Sequence, residues 1–239
     1  MPPKFTVESA SFSLRVGTAN IRSMCAKDDS GESAGCERRC SLAQLFDKEQ
    51  ILIVGIQESH SRVGGERRVG SYTMFCSAAA LQGKRGGTEI WLHDKIMKKL
   101  GKPKTVFQDE RTLVLVFAGQ LLVASAHVLD TSYPPDEVAA WWKGFTSVVR
   151  KYAKDTPTIV LADANARIGS EETFVSGTVE REATNHNGQC LLSFARSCDL
   201  TLPSTWTPTG PTWRSSRGKW HRNDYVMLPR AWQSSVFRS

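Results

Sequence analysis

What most constrains this chain is a unit that recurs along it: a short apolar run that ends on a polar, chemically useful side chain. FSLRVGTAN, residues 12–20, ends on Asn20. ILIVGI, residues 51–56, runs straight into Gln57 and Glu58, LLVASAHV carries His127, TIVLADAN carries Asp163 and Asn165, and KWHRNDYVML carries Asp224. Alternating or continuous apolar runs of this length read as strands, and the continuous ones must be covered on both faces. A packed core has no need of a polar residue where such a strand ends, so these positions draw attention together.

The stretches between them supply the covering layers. Leu42, Leu45 and Phe46 recur at helical spacing after a possible Ser41 cap, which predicts a helix over 41–50. From 135 to 154 the residues Val138, Trp141, Trp142, Phe145, Val148, Val149 and Tyr152 fall at three- and four-residue intervals. Asp136 and Glu137 stand at the start of that helix and Lys151 and Lys154 at its end, as the helix dipole prefers. NGQCLLSFARSCDL, 187–200, predicts a further helix. YTMFCSAAA and GTEIWLHD are weaker strands, and TLVLVF and LLVASAHV form a hairpin around Ala118, Gly119 and Gln120. Helices and hairpins alternate irregularly, which predicts an α/β (α+β) protein of mixed sheets with helices outside rather than a purely parallel sheet. No repeat or linker divides the chain, so one domain is expected over 12–239 after an N-terminal tail, 1–11.

Lys and Arg exceed Asp and Glu by 31 to 24, giving a formal charge of +7 that attracts polyanions. The N-terminus has no apolar signal region, and the longest apolar stretch is interrupted by Gly119 and Gln120, which predicts no membrane span and an intracellular setting, nucleus or cytosol. Cys36 and Cys40 have a zinc-like gap near Cys25 but no fourth ligand at a finger spacing, so the cysteines read as reduced thiols. QGKRGGTEI lacks the ending of a phosphate-binding P-loop and reads as a turn.

Singly, each strand-end polar residue is more simply an Asx turn, a cap or a solvated loop residue. Together, TANIRSM, ILIVGIQES, LLVASAH, IVLADAN, NGQCLLSFARSCDL and HRNDYVML resemble, in order and spacing, the motifs of the endonuclease/exonuclease/phosphatase (DNase I-like) superfamily. NGQCLLSFARSCDLTLPSTW followed by PTW and NDYV is most similar to the AP-endonuclease-like domains of non-LTR retrotransposons. The resemblance implies a four-layer α/β/β/α sandwich of two mixed sheets, with a site in a cleft at one edge.

It also implies roles. Glu58 is the expected Mg2+ ligand, with Mn2+ as the alternative ion and Asn20 ligating or orienting beside it; hard cations of this kind take oxygen donors. Asp163 and Asn165, two apart on an extended backbone, would face the same way to orient water and hold a phosphoryl oxygen. His127 would donate to phosphate. Asp224 would orient a catalytic histidine that the family carries in a Ser-Asp-His motif after a further strand. No such motif follows Asp224 here, and His60, His186 and His221 have no matching motif, so the domain is expected to be C-terminally incomplete, to lack its last strand and to be weak or inactive alone. Arg62, Arg67, Arg68, Lys84 and Arg85 are expected in loops as a phosphate-tracking rim, and Asn187 and Trp213 as substrate contacts. The resulting expectation is a monomeric DNA-nicking phosphodiesterase that binds no membrane. RNA, inositol phosphates or phospholipid head groups are alternative substrates for the same fold, and nucleic-acid or partner binding without turnover is the non-enzymatic alternative.

Overall fold

A computed structural model describes residues 4–9, 12–24, 32–61, 64–77, 86–169 and 174–238. Its strands are β1 (Lys4–Ser9), β2 (Phe12–Asn20), β3 (Ile53–Gln57), β4 (Gly65–Val69), β5 (Tyr72–Cys76), β6 (Glu89–His93), β7 (Lys104–Gln108), β8 (Thr112–Phe117), β9 (Leu121–His127), β10 (Thr158–Asp163), β11 (Leu200–Thr201), β12 (Trp213–Arg214), β13 (Trp220–His221), β14 (Asp224–Pro229) and β15 (Val236–Arg238). The helices are α1 (Glu32–Lys48), α2 (Asp94–Leu100), α3 (Pro135–Ala153) and α4 (His186–Ser197).

Two mixed sheets carry the fold. One has seven strands in the order β15-β1-β2-β3-β6-β5-β4, the other six in the order β11-β14-β10-β9-β8-β7, and β12 and β13 pair separately. The segment expected as a tail contains β1, which pairs along its whole length with β2; β15 pairs with its outer edge. Short polar strands such as β1 and β4 carry little periodicity, and only a neighbour to pair with reveals them.

Period-two alternation assigns the layers. Leu14, Val16, Ile53, Ile90 and Leu92 of one sheet meet Leu113, Leu115, Val123, Ile159, Leu161, Val226 and Leu228 of the other in a single inter-sheet core. The opposite faces are covered by helices. Ala43 and Phe46 of α1 pack on Val54, Ile56, Tyr72, Met74 and Trp91. Val138, Trp142, Phe145 and Val149 of α3, with Leu191, Leu192 and Phe194 of α4, pack on Leu122, Ala124, Val160, Ala162 and Tyr225. The result is the α/β/β/α sandwich.

The sheets approach each other closely at Gly55 on β3, where a Cβ would stand 2.4 Å from that of Leu161 on β10. One turn of the alternation further along, the fully buried Gln57 ties the sheets together: Thr18 donates to its Oε1 at 3.1 Å, and its Nε2 donates to Ser125 Oγ and to the Leu161 carbonyl, both at 3.1 Å. A buried amide with every partner in place costs little to bury and fixes the register of the two sheets. Among the described residues no helix is long and apolar enough to cross a membrane. Cys40, Cys76, Cys190 and Cys198 form no disulfide, whereas the Cys25 and Cys36 side chains lie outside the described residues.

Candidate functional site

The inward-facing series of four strands each end on a polar residue. Leu14, Val16 and Thr18 lead to Asn20, and Leu121, Val123 and Ser125 lead to His127. Ile159 and Leu161 lead to Asp163, and Val226 and Leu228 lead back to Asp224. Register then brings these ends together, because Asp163 is the Cα partner of His127 across the parallel β9–β10 pair and of Asp224 across the antiparallel β10–β14 pair. The site is therefore the polar end of the inter-sheet core. Glu58 reaches it differently. By alternation it would point outward toward α1, but its backbone is left-handed, with φ 53°. Such a conformation in a non-glycine residue is costly and is kept where surrounding structure over-determines it. The surroundings here are the backbone bonds Ser59 N–H to Gly87 O and His60 N–H to Gly86 O, each 3.0 Å. A side chain at Gly87 (φ 82°) would meet Ser59 Oγ at 2.8 Å, so a glycine is needed to hold this loop.

Asn20 organises the carboxylates. Its Nδ2 donates to Glu58 Oε1 at 2.7 Å and to Asp163 Oδ2 at 2.8 Å, while its Oδ1 accepts from the Arg22 N–H at 3.0 Å. With its oxygen accepting from Arg22, Asn20 presents its amide nitrogen to both carboxylates. Asp163 Oδ1 accepts from the Asn165 backbone N–H at 3.1 Å, and His127 Nε2 stands 3.5 Å from Glu58 Oε1. Ligand atoms of Glu58, His127 and Asp163 all lie within 4.8 Å of one another, close enough to share one cation.

The electrostatics of the site fit a cation. Burial pushes Asp163 above the usual carboxylate range, against the pull of His127 and the hydrogen bonds from Asn20 and Asn165. Burial first, and then the charge of Asp163, raise Asp224 well above it, although the Thr212 hydroxyl and the Asn20 backbone N–H favour its ionised form. Asp224 Oδ1 is buried without a partner. Burial also lowers the His127 imidazole, outweighing the attraction of Asp163 and Glu58. Carboxylates crowded this closely repel one another, and a divalent ion between them removes the repulsion.

Linkage turns the Asp224 shift into a stability prediction. Its folded value lies above its unfolded one, so the folded state keeps the proton to a higher pH, and stability is lost as pH rises above the ordinary aspartate range, about pH 4, toward the folded value. Asp224→Asn, which retains an oxygen for Thr212 and the Asn20 N–H, should therefore melt at a higher temperature than wild type at pH 7 in EDTA. The gap should close near pH 4; thermal denaturation at the two pH values checks it.

Other expected residues fall elsewhere. The two-residue spacing of Asp163 and Asn165 does not keep them on one face, because β10 ends at Asp163 and Asn165 turns left-handed (φ 48°), donating its Nδ2 to the Val128 carbonyl at 2.9 Å. Asn187, expected as a substrate contact, is buried, accepting from Trp142 Nε1 at 2.8 Å and donating to the Leu129 carbonyl at 2.9 Å. Asn187→Leu should cost about 2 kcal/mol through the orphaned Trp142 and Leu129 groups, visible in a denaturant titration, and leave any activity per folded molecule unchanged. Arg67 and Arg68 lie on β4, an edge strand three places from β3, and not in a loop; Arg68 pairs with Asp94 at 2.6 Å. Three strand spacings, about 14 Å, keep them off the site. Arg62, Lys84 and Arg85 lie outside the described residues. Trp213 stacks on His221, ring centroids 5.7 Å apart, next to the Thr212 hydroxyl that accepts from the Asn223 and Asp224 N–H groups. His221 is held by Glu182 at 2.5 Å and His186 by the Pro135 carbonyl, so neither reaches the site, whereas His60 Nε2 lies 3.9 Å from Glu58 Oε2.

Residues that no strand pattern marks complete the rim. Arg111 Nη1 donates to the His127 carbonyl at 3.4 Å and Nη2 to the Tyr133 hydroxyl at 3.3 Å, its guanidinium 5.6 Å from the centre of that exposed ring. The only trace of Arg111 in the sequence is a cation just before the β8 run.

Two solved structures share this architecture. The endonuclease domain of TRAS1, a telomere-specific non-LTR retrotransposon, superposes with a TM-score of 0.54 at 20% identity, over 90% of this chain and 85% of that one. The AP endonuclease LMAP from Leishmania major superposes with a TM-score of 0.64 at 12% identity, over 94% of this chain and 82% of that one. The chain has the DNase I-like fold. No protein-family model and no curated protein matches the sequence.

Proposed function

We propose that the chain is a divalent-cation-dependent phosphodiester hydrolase that nicks DNA, with Mg2+ as its expected ion. The observation that carries this reading is the convergence of Asn20, Glu58, His127, Asp163 and Asp224 from four strand ends and one left-handed turn onto a single point. Both solved structures above are named as endonucleases, and the formal charge of +7 favours a polyanionic substrate.

In this reading Glu58 and Asp163, oriented by Asn20, would hold the ion through carboxylate oxygens. A bound divalent ion neutralises phosphoryl charge and stabilises the leaving oxygen. Asp163, fixed by the Asn20 and Asn165 donors, is also the acceptor placed to orient the attacking water. His127 donates from Nε2 to a non-bridging phosphate oxygen, and Arg111 and Tyr133 at the rim offer a cation and an aromatic face to the flanking nucleotide. Burial and the charge of Asp163 disfavour the ionised form of Asp224, which lies beside Asp163 across the β10–β14 pair.

The test is supercoiled plasmid incubated with Mg2+ or with EDTA, beside parallel phosphate-release assays on an inositol phosphate and a phospholipid. Open-circular product formed only with Mg2+, and no phosphate release, is the expected result. Phosphate release without nicking would overturn the DNA assignment.

A further inference from the structure

We propose that Glu58, His127 and Asp163 form a mixed nitrogen–oxygen centre that binds a first-row transition ion, such as Co2+ or Zn2+, more tightly than Mg2+, with His127 Nε2 as the nitrogen donor. The inference uses the same site as the hydrolase reading above but is measured without substrate.

Donor chemistry motivates it. Mg2+ takes oxygen ligands and keeps several waters, so Glu58 and Asp163 alone satisfy what it asks of a protein. An imidazole beside those carboxylates adds a donor that suits later transition ions far better. Geometry places it there. Two atoms each about 2.1 Å from one ion stand about 3.0–3.4 Å apart in octahedral or tetrahedral arrangement, and His127 Nε2 is 3.5 Å from Glu58 Oε1. All three residues offer ligand atoms within 4.8 Å of one another. His127 Nδ1 is buried without a partner, so the ring meets its polar surroundings through Nε2 alone. Asn20 Nδ2, donating to both Glu58 Oε1 and Asp163 Oδ2, already holds the two oxygens toward each other.

A functional consequence follows. His127 Nε2 cannot ligate an ion and donate to a phosphate oxygen at once, so a transition ion bound through it withdraws the phosphate donor. The centre is then sensitive to which ion fills it.

The experiment titrates the metal-free chain with Co2+ and with Mg2+ by calorimetry and records X-ray absorption of bound Co2+. The same titrations are run on Glu58→Ala and His127→Gln, with melting curves confirming that each variant folds. We expect one Co2+ per chain, bound at least about 10-fold more tightly than Mg2+, with imidazole scattering in the absorption spectrum. Co2+ binding should be lost in Glu58→Ala. In His127→Gln the preference should fall to near parity while Mg2+ affinity stays within a few-fold. Co2+ held no more tightly than Mg2+, or a preference that survives in either variant, would overturn the inference. Mg2+-supported nicking without a Co2+ preference would leave the hydrolase reading standing and remove this one, whereas the preference without nicking would do the reverse.

Discussion

Glu58→Ala should lower the rate of plasmid nicking by about 10^3-fold or more. Glu58 is the only carboxylate in the site that arrives by a strained backbone, and its left-handed φ of 53° aims an outward residue into the inter-sheet end. Removing it deletes one of the two carboxylates that hold the ion and frees the Asn20 amide from one of its two anchors. Stability should move the other way or not at all, because the carboxylate is partly exposed and its loss eases repulsion on Asp163 and Asp224. A variant that melts at or above the wild-type temperature in EDTA but nicks at the no-metal rate therefore separates a role in chemistry from one in folding. Nicking within about tenfold of wild type would show that the ion, if used, is held elsewhere.

The largest stability effect is expected at Gly55→Ala. The new methyl would stand 2.4 Å from Leu161 Cβ, 3.1 Å from its Cδ1 and 3.3 Å from its Cγ, in the middle of the inter-sheet core. Backbone on both sides must give, since Leu161 sits on β10 between β9 and β14 and Gly55 on β3 between β2 and β6. Overpacking of this kind costs up to about 3 kcal/mol, which for a chain of this length lowers the melting temperature by about 9 °C. The sheets would also be wedged apart beside Gln57, whose bonds to Ser125 and Leu161 span the gap, so the site two residues beyond should loosen with them. Differential scanning calorimetry decides the matter: a shift under about 2 °C would mean the sheets separate at no cost there.

What the sequence carried by itself was local. Period-two alternation marked β2 to its last residue, and it marked the β8–β9 hairpin and β10. Helical spacing marked α3 almost to the residue, because nineteen residues with an apolar stripe and charges sorted by the dipole have few other ways to fold. The same runs placed Asn20, His127, Asp163 and Asp224 at strand ends, and the order of motifs pointed to the fold; which face each takes came only from the sheets. Pairing was not written in the sequence either. That Asp163 lies between His127 and Asp224 follows from the registers of β9–β10 and β10–β14, which depend on contacts far apart in the chain. Glu58 defeats alternation through a left-handed turn held by the Gly86–Gly87 loop. Asn165 leaves the face of Asp163 for the same kind of reason, and Asn187, polar in sequence, is spent on Trp142 and Leu129. Strand periodicity is a property of neighbouring peptide units and survives in sequence. Which polar group meets substrate and which is consumed inside is decided only when every buried donor and acceptor must find a partner at once.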